Sequence, residues 1–359
     1  MHFFISMFIF IFILFFYIHL QYQYKTSEDL EIYELDYTTN KNLQDICHIK
    51  QPILFQINHL KDVDPFFHFF KQNVRFKQND VNVKDIRDYY KPNVTSVDSV
   101  SLSFSSAQGL METDPKGYFY SDNNFGLMRE ENAFSKMDNL LASSWVIQKN
   151  YDLLFGSKNT RTPLKYHTET GRFLIISSFN TTDTPNTIRI KMTPWKSRKY
   201  LNVKYDYENY EFWSPIDIWE NPPDKIKCLE FNVMEGYVLY IPAYWFYSIE
   251  FTSTNTCIAS FTYSTGMNMI SNLPNYGLFF LQQNNIKNLM NIKNITKIHS
   301  SISENSSVIN KEEVIDKKED KKEDKTEDKK EEIVEENTTN KEIQEMLSVI
   351  TTKTETTNS

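Results

Sequence analysis

The stretch Cys228–Asn268 constrains the fold of this chain more than any other. Residues 229–233 alternate between apolar and polar side chains, which is the period of a half-buried strand. Gly236 suits the turn that follows, because glycine readily adopts a positive φ. Pro242 ends the next apolar run, since proline cannot donate to a strand ladder. The segment therefore begins with two short strands that are joined by a tight turn.

Two more apolar runs, 244–251 and 256–263, follow on either side of the polar segment 252–255. They predict a hairpin-like pair of strands, with Trp245 in the core. Short apolar strands with tight turns between them are typical of closed or double-sheet antiparallel barrels. These strands are therefore expected to belong to a closed or double-sheet antiparallel barrel.

The preceding segment continues the β pattern from about Val146. Residues 172–177 read as a buried strand, and residues 188–192 alternate cleanly, which predicts a strand with Arg189 and Lys191 on its outer side. An aromatic-rich loop is predicted over 205–225. Shorter elements are predicted elsewhere: strands at 30–35, 52–55 and 94–105, and helices at 66–72, 126–141 and 278–290.

Charge and cysteine content narrow the class of protein. The 359-residue chain has a net charge of −8, which argues against a nucleic-acid-binding protein because such proteins carry a basic face. Its three cysteines are widely spaced and form no CxxC pair. This spacing favours a reduced domain on the cytosolic side of a membrane.

Residues 1–20 contain no Asp, Glu, Lys or Arg, and an apolar run of roughly 17–25 residues crosses a bilayer as a helix. A cleaved signal peptide would need a basic start and a small-residue cleavage site, and neither is present. The run is therefore interpreted as an uncleaved, single-pass membrane anchor. A polar juxtamembrane segment, 21–44, follows it.

The other end of the chain is a low-complexity charged tail, 293–359. Its run 311–332 is rich in Lys, Glu and Asp with few apolar residues, so it predicts a disordered or solvated segment. A globular domain is left between the two ends, at 45–292. We expect membrane contact through the N-terminal helix, and a protein partner is conceivable for the barrel or the tail.

Three motifs of the globular domain resemble the JmjC-type, cupin-like proteins. They are Thr162-Pro163-Leu164 with Tyr166, Met192-Thr193-Pro194-Trp195, and Glu235-Gly236 followed by Leu239–Pro242 and Trp245. The likeness is greatest to the cupin-like proteins encoded by giant DNA viruses, which carry runs similar to 244–249 and 261–268 together. The resemblance implies a double-stranded β-helix, which is a jelly-roll barrel with flanking helices, and a viral protein.

Enzymes of this family bind Fe(II) through His-x-Asp/Glu and a distant His, and they use 2-oxoglutarate. Aligning the motifs puts Lys165 at the first iron ligand, His167 at the carboxylate and Tyr247 at the distal His. An ammonium cannot bind a metal ion unless it is deprotonated. The basic residue that holds 2-oxoglutarate is expected at Ile188, with Arg189 next to it. The resemblance therefore implies a fold without its iron site.

A shift of the alignment would make His167 and Glu169 the His-x-Glu pair. No histidine lies between His167 and His299, so a third ligand is lacking unless Tyr247 binds as a phenolate. His167 is more simply interpreted as an ordinary pocket histidine. A zinc site of His167, Cys228 and Cys257 lacks the close spacing of zinc ligands.

The sequence thus predicts a membrane-anchored, cupin-like pseudoenzyme that binds or scaffolds without a cofactor. Lys165, His167 and Tyr247 are its candidate pocket residues. The alternatives are an atypical Fe(II)- and 2-oxoglutarate-dependent hydroxylase that uses His167 and Glu169, and a structural protein of a viral membrane.

Overall fold

The computed structural model describes residues 2–57, 60, 63–71, 79–126, 132–180 and 185–287. These residues belong to one compact unit that ends at Leu289. Two sheets, one of nine strands and one of six, dominate its described part, and helices flank them. The prediction of a mainly β domain with flanking helices is confirmed. The predicted tail, 293–359, lies outside the described residues.

The elements are numbered in chain order. The strands are β1 (Tyr33–Leu35), β2 (Ile53–Gln56), β3 (Asp80–Asp85), β4 (Val100–Ser103), β5 (Phe119–Ser121), β6 (Val146–Gly156), β7 (Leu164–Tyr166), β8 (Gly171–Ser178), β9 (Thr187–Thr193), β10 (Lys204–Asp206), β11 (Glu211–Ser214), β12 (Leu229–Met234), β13 (Tyr237–Pro242), β14 (Phe246–Phe251) and β15 (Thr256–Thr265). The helices are α1 (His2–Tyr24), α2 (Asn40–Cys47), α3 (Asp64–Lys71), α4 (Phe104–Thr113), α5 (Asn132–Leu141) and α6 (Gly266–Ser271), followed by α7, which runs over 273–287. Short 3-10 helices cover Ile86–Tyr90 and Trp195–Tyr200.

The strands are distributed over both sheets without following chain order. The larger sheet has the order β1-β2-β13-β8-β15-β6-β5-β3-β4, and the smaller has the order β10-β11-β7-β14-β9-β12. Apart from β10 and β11, the strands from β6 to β15 divide equally between the sheets. The larger sheet contains β6, β8, β13 and β15, and the smaller sheet contains β7, β9, β12 and β14. All the pairings among these eight strands are antiparallel.

The hairpin-like pairing predicted for 244–251 and 256–263 is wrong. β14 pairs with β7 and β9, whereas β15 pairs with β6 and β8 in the other sheet. Every residue of β14 and nearly every residue of β15 is buried. Such strands need neighbours on both edges and cover on both faces, so the segment 252–255 carries the chain from one sheet to the other.

Three apolar clusters hold these layers together. One fills the space between the sheets and includes Leu174, Ile190 and the fully buried Trp245, which confirms the prediction that Trp245 is a core residue. A second lies between the larger sheet and the helices, around Phe66 and Phe134. A third covers the outer side of the smaller sheet near β7 and β11.

Several boundaries differ from the predictions. The strand predicted at 94–105 shortens to β4, because Ser103 caps α4 by accepting a hydrogen bond from the Ser106 backbone N–H. The loop predicted at 205–225 contains β10 and β11, which are too short for a periodic pattern to reveal. Arg189 and Lys191 lie on the outer side of β9, as predicted, while Ile188, Ile190 and Met192 are buried.

The core between the sheets predicts a large mutational effect. Ile190→Ala should lower the free energy of unfolding by about 2–5 kcal/mol, because it removes buried methyl groups and leaves a cavity. Denaturation followed by tryptophan fluorescence would measure the loss. Ile49→Ala is the control, since Ile49 is 53% exposed and should change stability by no more than about 0.5 kcal/mol. Equal effects at the two sites would contradict the observed packing.

Candidate binding cavity

The inner face of the barrel changes from apolar to polar along its strands. On β8 the inward residues are Ile176, Leu174 and then Arg172, and on β6 Leu154 is followed by Asp152. β15 changes in the same way. A cavity of about 230 Å³ lies at the polar end and is lined by residues of both sheets and of α7. The alternation of side chains along each strand therefore directs these polar groups into the cavity.

Two lysines and two carboxylates form a buried ion network beside this cavity. The Lys84 ammonium lies 2.9 Å from Asp122 Oδ1 and also binds Glu211 Oε1. The Lys165 ammonium lies 2.8 Å from Asp122 Oδ2 and 3.4 Å from Glu211 Oε2. Only 2% of the Lys84 surface is exposed. Each cation thus contacts both anions, and the formal charges of the four groups cancel.

Neutral groups add further hydrogen bonds to the network. Lys165 donates to the Tyr120 hydroxyl at 2.9 Å, and the Tyr89 hydroxyl donates to Glu211 at 2.8 Å. The Asn123 amide donates to the other oxygen of Glu211 at 2.8 Å. Buried charges are tolerated only when paired and hydrogen-bonded in this manner.

The network also fixes the protonation states of its members. Burial by itself raises the pKa values of Asp122 and Glu211, but the positive charges of Lys165 and Lys84 outweigh burial and hold both below the usual range. Burial by itself lowers the pKa of Lys84, and the charges of Asp122 and Glu211 reverse that effect and raise it. These three groups are therefore ionised at neutral pH.

Arg172 is the cation that this network leaves out. Its guanidinium donates to the Tyr247 hydroxyl at 2.6 Å and to the Thr262 hydroxyl at 3.2 Å, and it pairs with no carboxylate among the residues that the structure describes. Burial opposes its charge, whereas Tyr247, Glu169 and Asp152 raise its pKa above the usual value. The side chain is enclosed by protein but keeps accessible surface, because it lines the cavity.

His167 lies in the same lining and is 3% exposed. Neither ring nitrogen has a hydrogen-bond partner. Burial, and then the positive charge of Arg172, hold its pKa well below the usual value despite an opposing effect of the Ile241 backbone. The imidazole is therefore neutral and offers one donor and one acceptor.

Asp152 has the opposite behaviour from the carboxylates of the network. Its oxygens accept hydrogen bonds from the backbone N–H groups of Asn123 at 3.0 Å and Asn124 at 2.7 Å. Burial, and then the negative charge of Asp122, nevertheless raise its pKa to about 6. Asp152 therefore loses its proton nearer to neutral pH than an ordinary aspartic acid does.

The structure brings the sequence-predicted residues together. Lys165, His167, Glu169 and Tyr247 all line the cavity, and Lys165 and Tyr247 lie directly opposite each other in the pairing of β7 with β14. The His167 and Tyr247 ring centroids are 6.4 Å apart. The Glu169 carboxylate accepts a hydrogen bond from the Thr168 backbone.

The residues expected to hold 2-oxoglutarate do not reach the cavity. Ile188 is a core residue, and Arg189 lies on the outer side of the barrel, 2.7 Å from Glu230 and 2.8 Å from Glu250. Sequence reasoning missed Lys84, Asp122, Arg172 and Glu211. Only Arg172 left a signal, as a charged residue at the start of an otherwise apolar strand.

The donor set does not fit an iron ion. Across the described part of the chain, no group of three or more His, Cys, Asp or Glu side chains is arranged to hold a metal. The two network carboxylates already bind ammonium groups, and His167 is the one imidazole in the cavity lining. Cys228 and Cys257 are free thiols.

No protein-family model matches the chain, and no curated protein matches it significantly. The JmjC-type resemblance therefore rests on the motifs quoted above.

The ion network predicts that removing one of its cations lowers the free energy of unfolding. Lys84→Met should destabilise the fold by about 3–5 kcal/mol, because it leaves a buried carboxylate uncompensated. Urea denaturation would measure the change, with Lys91→Met as the matched control. Lys91 pairs with Asp88 at the surface, and such pairs contribute about 0–1 kcal/mol. A loss at Lys84 no larger than that at Lys91 would refute the network.

Asp152 predicts a pH dependence of stability. Its pKa is about 6 in the folded protein and about 3.9 in an unfolded chain, so the folded state binds more protons between these values. The raised pKa contributes stability that is fully present below about pH 4 and is lost as the pH rises through 6. The free energy of unfolding changes by about 3 kcal/mol over this range. The difference in unfolding free energy between pH 4 and pH 7 should therefore shrink in Asp152→Asn. An unchanged difference would contradict the raised pKa.

Proposed function

We propose that this chain is a membrane-tethered protein with a JmjC-type cupin barrel that binds a small anionic ligand without iron. The alternation of eight barrel strands between two sheets supports a jelly-roll of the double-stranded β-helix kind. Four strands of each sheet take part, with β10 and β11 added at the edge of the smaller sheet. The sequence motifs shared with that family point to the same fold.

The ion pairs of Lys165 are the observation on which the proposed loss of the iron site rests. Lys165 holds the sequence position of the first iron ligand, and its ammonium binds Asp122 and Glu211. A metal ion at this place would meet a positive charge and would have to compete for carboxylates that are already paired. The lysine thus replaces the metal as the local cation, and the barrel has no need of a cofactor.

The unpaired Arg172 supports an anionic ligand. Arg172 forms no ion pair with a carboxylate in the described part of the chain, and its hydrogen bonds go to the Tyr247 and Thr262 hydroxyls. The negative charges of Glu169 and Asp152 act on it without direct contact. A carboxylate in the cavity would supply the missing charge through short, charge-assisted hydrogen bonds. The neutral His167 would add a donor or an acceptor, and a cavity of about 230 Å³ suits a small molecule.

Membrane tethering is supported by α1. Among the described residues, Phe3–Tyr24 is the one helix long and apolar enough to cross a bilayer, although a signal sequence meets the same criterion. None of its apolar span is buried. Its last turn contacts the folded domain through Lys50, which donates to the Tyr22 carbonyl, so we propose that α1 is retained as an anchor. The cytosolic side of the domain and a protein partner remain predictions.

A hydroxylase is the second candidate, because both ring nitrogens of His167 are unpartnered and Glu169 lies in the same lining. It would need a further ligand, and the Tyr247 hydroxyl is engaged by Arg172. Iron and 2-oxoglutarate are therefore included in the experiment that tests the proposal.

The test is a thermal-shift titration of the full chain in detergent with succinate or 2-oxoglutarate, with EDTA or with Fe(II). At about 100 times Kd, a ligand for the cavity should raise the midpoint by roughly 5–10 °C, equally with EDTA and with iron. Arg172→Gln should abolish the rise because it removes the charge that pairs with the carboxylate. Arg189→Gln, on the outer side of the barrel, is the matched control.

Three outcomes would overturn the proposal. A rise that needs Fe(II), together with release of labelled succinate from labelled 2-oxoglutarate, would establish the hydroxylase. No rise with either acid would remove the carboxylate-binding role. An equal loss in Arg172→Gln and Arg189→Gln would place the ligand outside the cavity.

A further inference from the structure

The domain exposes several apolar side chains in the region where α1 joins it. Between residues 273 and 281, every exposed residue of α7 is apolar. These residues are Leu273, Pro274, Gly277, Leu278, Phe280 and Leu281. The opposite side of α7 packs inward, with Tyr276 and Phe279 against Tyr210. The helix is therefore amphipathic, and its outer face has no cover among the described residues.

Two more apolar side chains extend this surface. Trp145 is 83% exposed and Ile147 is 69% exposed. A Cβ added at Gly266 would lie 2.9 Å from Ile147 Cδ1, so the start of β6 touches the start of α6. Trp145 lines the same groove as Tyr22 of α1. An exposed apolar patch of this kind marks an interaction surface.

The end of α1 fixes what this surface faces. The Tyr24 hydroxyl donates to the Ser271 carbonyl at 2.5 Å, and the Tyr22 hydroxyl donates to the His48 carbonyl at 3.2 Å. The last turn of the apolar helix is thus attached to α6, beside the start of α7. If α1 crosses a bilayer, the chain leaves that bilayer at this face of the domain.

We propose that the outer face of α7, with Trp145 and Ile147, is a second membrane contact that lies in the interface of the bilayer that α1 enters. This inference rests on the anchoring role of α1 that is proposed above. An amphipathic helix of this kind buries its apolar face roughly 5–10 Å into the headgroup region. A tryptophan at its side suits that depth, because the indole is amphipathic.

Site-specific fluorescence on the full chain in lipid nanodiscs tests this contact. Cysteines for an environment-sensitive dye would be introduced one at a time as Trp145→Cys and Phe280→Cys, in a Cys228→Ser background whose remaining native thiols, Cys47 and Cys257, are buried. Met234→Cys is the control, because Met234 is exposed and is the last residue of β12, before the turn into β13. This turn is at the opposite end of β13 from Pro242 and its partner Gly171. Nitroxide-labelled lipids would then quench dyes that contact the bilayer.

We expect quenching about twofold or more stronger at positions 145 and 280 than at 234, since an interfacial helix lies within reach of the acyl chains. Equal quenching at all three positions would overturn the second contact. Dyes that are shielded from water but not quenched by lipid would also overturn it, and would show that the chain after residue 287 or a second copy covers this face.

Carbonate extraction of the full chain from vesicles of the same lipids separates the two proposals. If the protein stays in the membrane fraction while the quenching is equal, α1 is an anchor and the α7 contact fails alone. If carbonate releases the protein, the anchoring part of the proposed function fails, whatever the dyes report.

Discussion

The rest of the structure depends on the buried network of Lys84, Asp122, Lys165 and Glu211. Lys84 and Asp122 belong to the larger sheet or follow it directly, whereas Lys165 and Glu211 belong to the smaller sheet. The four groups therefore connect the two sheets where the apolar core ends. Removing one partner of a buried ion pair destabilises a fold more than replacing the whole pair with apolar residues does. The network therefore specifies how the two sheets face each other.

The network also sets the chemistry of the cavity. Lys165 is held by two carboxylates, so this side of the cavity carries a side-chain cation whose charge is already paired. Arg172 lies beyond the network and keeps a positive charge without a close anionic partner, next to a neutral His167. The cavity lining thus contains an ion cluster whose charges cancel and an arginine that forms no ion pair among the described residues, and we propose that a ligand binds to this arginine.

The sequence predicted what local patterns encode. The patterns of apolar residues located most of the strands, and the long apolar run located α1. Lys165, His167 and Tyr247, which the motifs of the resemblance pointed to, lie in one cavity lining. The sequence could not reveal Lys84 and Glu211 as partners, because 127 positions separate them and β11 is too short for its period to show. Nor could it tell that β14 and β15 lie in different sheets, since alternation defines the faces of a strand and not its neighbours.

The two sides of α7 connect the cavity to the membrane proposal. Tyr276 and Phe279 line the cavity, while Leu273, Phe280 and Leu281 are exposed on the other side. Only the width of α7 therefore separates the cavity from the surface that we propose for the bilayer. A helix that lies in the interface would be held by lipid on its outer face, and this would fix the aromatic wall of the cavity. Ligand affinity should then depend on the membrane. When α7 is docked on the bilayer, this wall of the cavity is already ordered, and binding costs less conformational entropy.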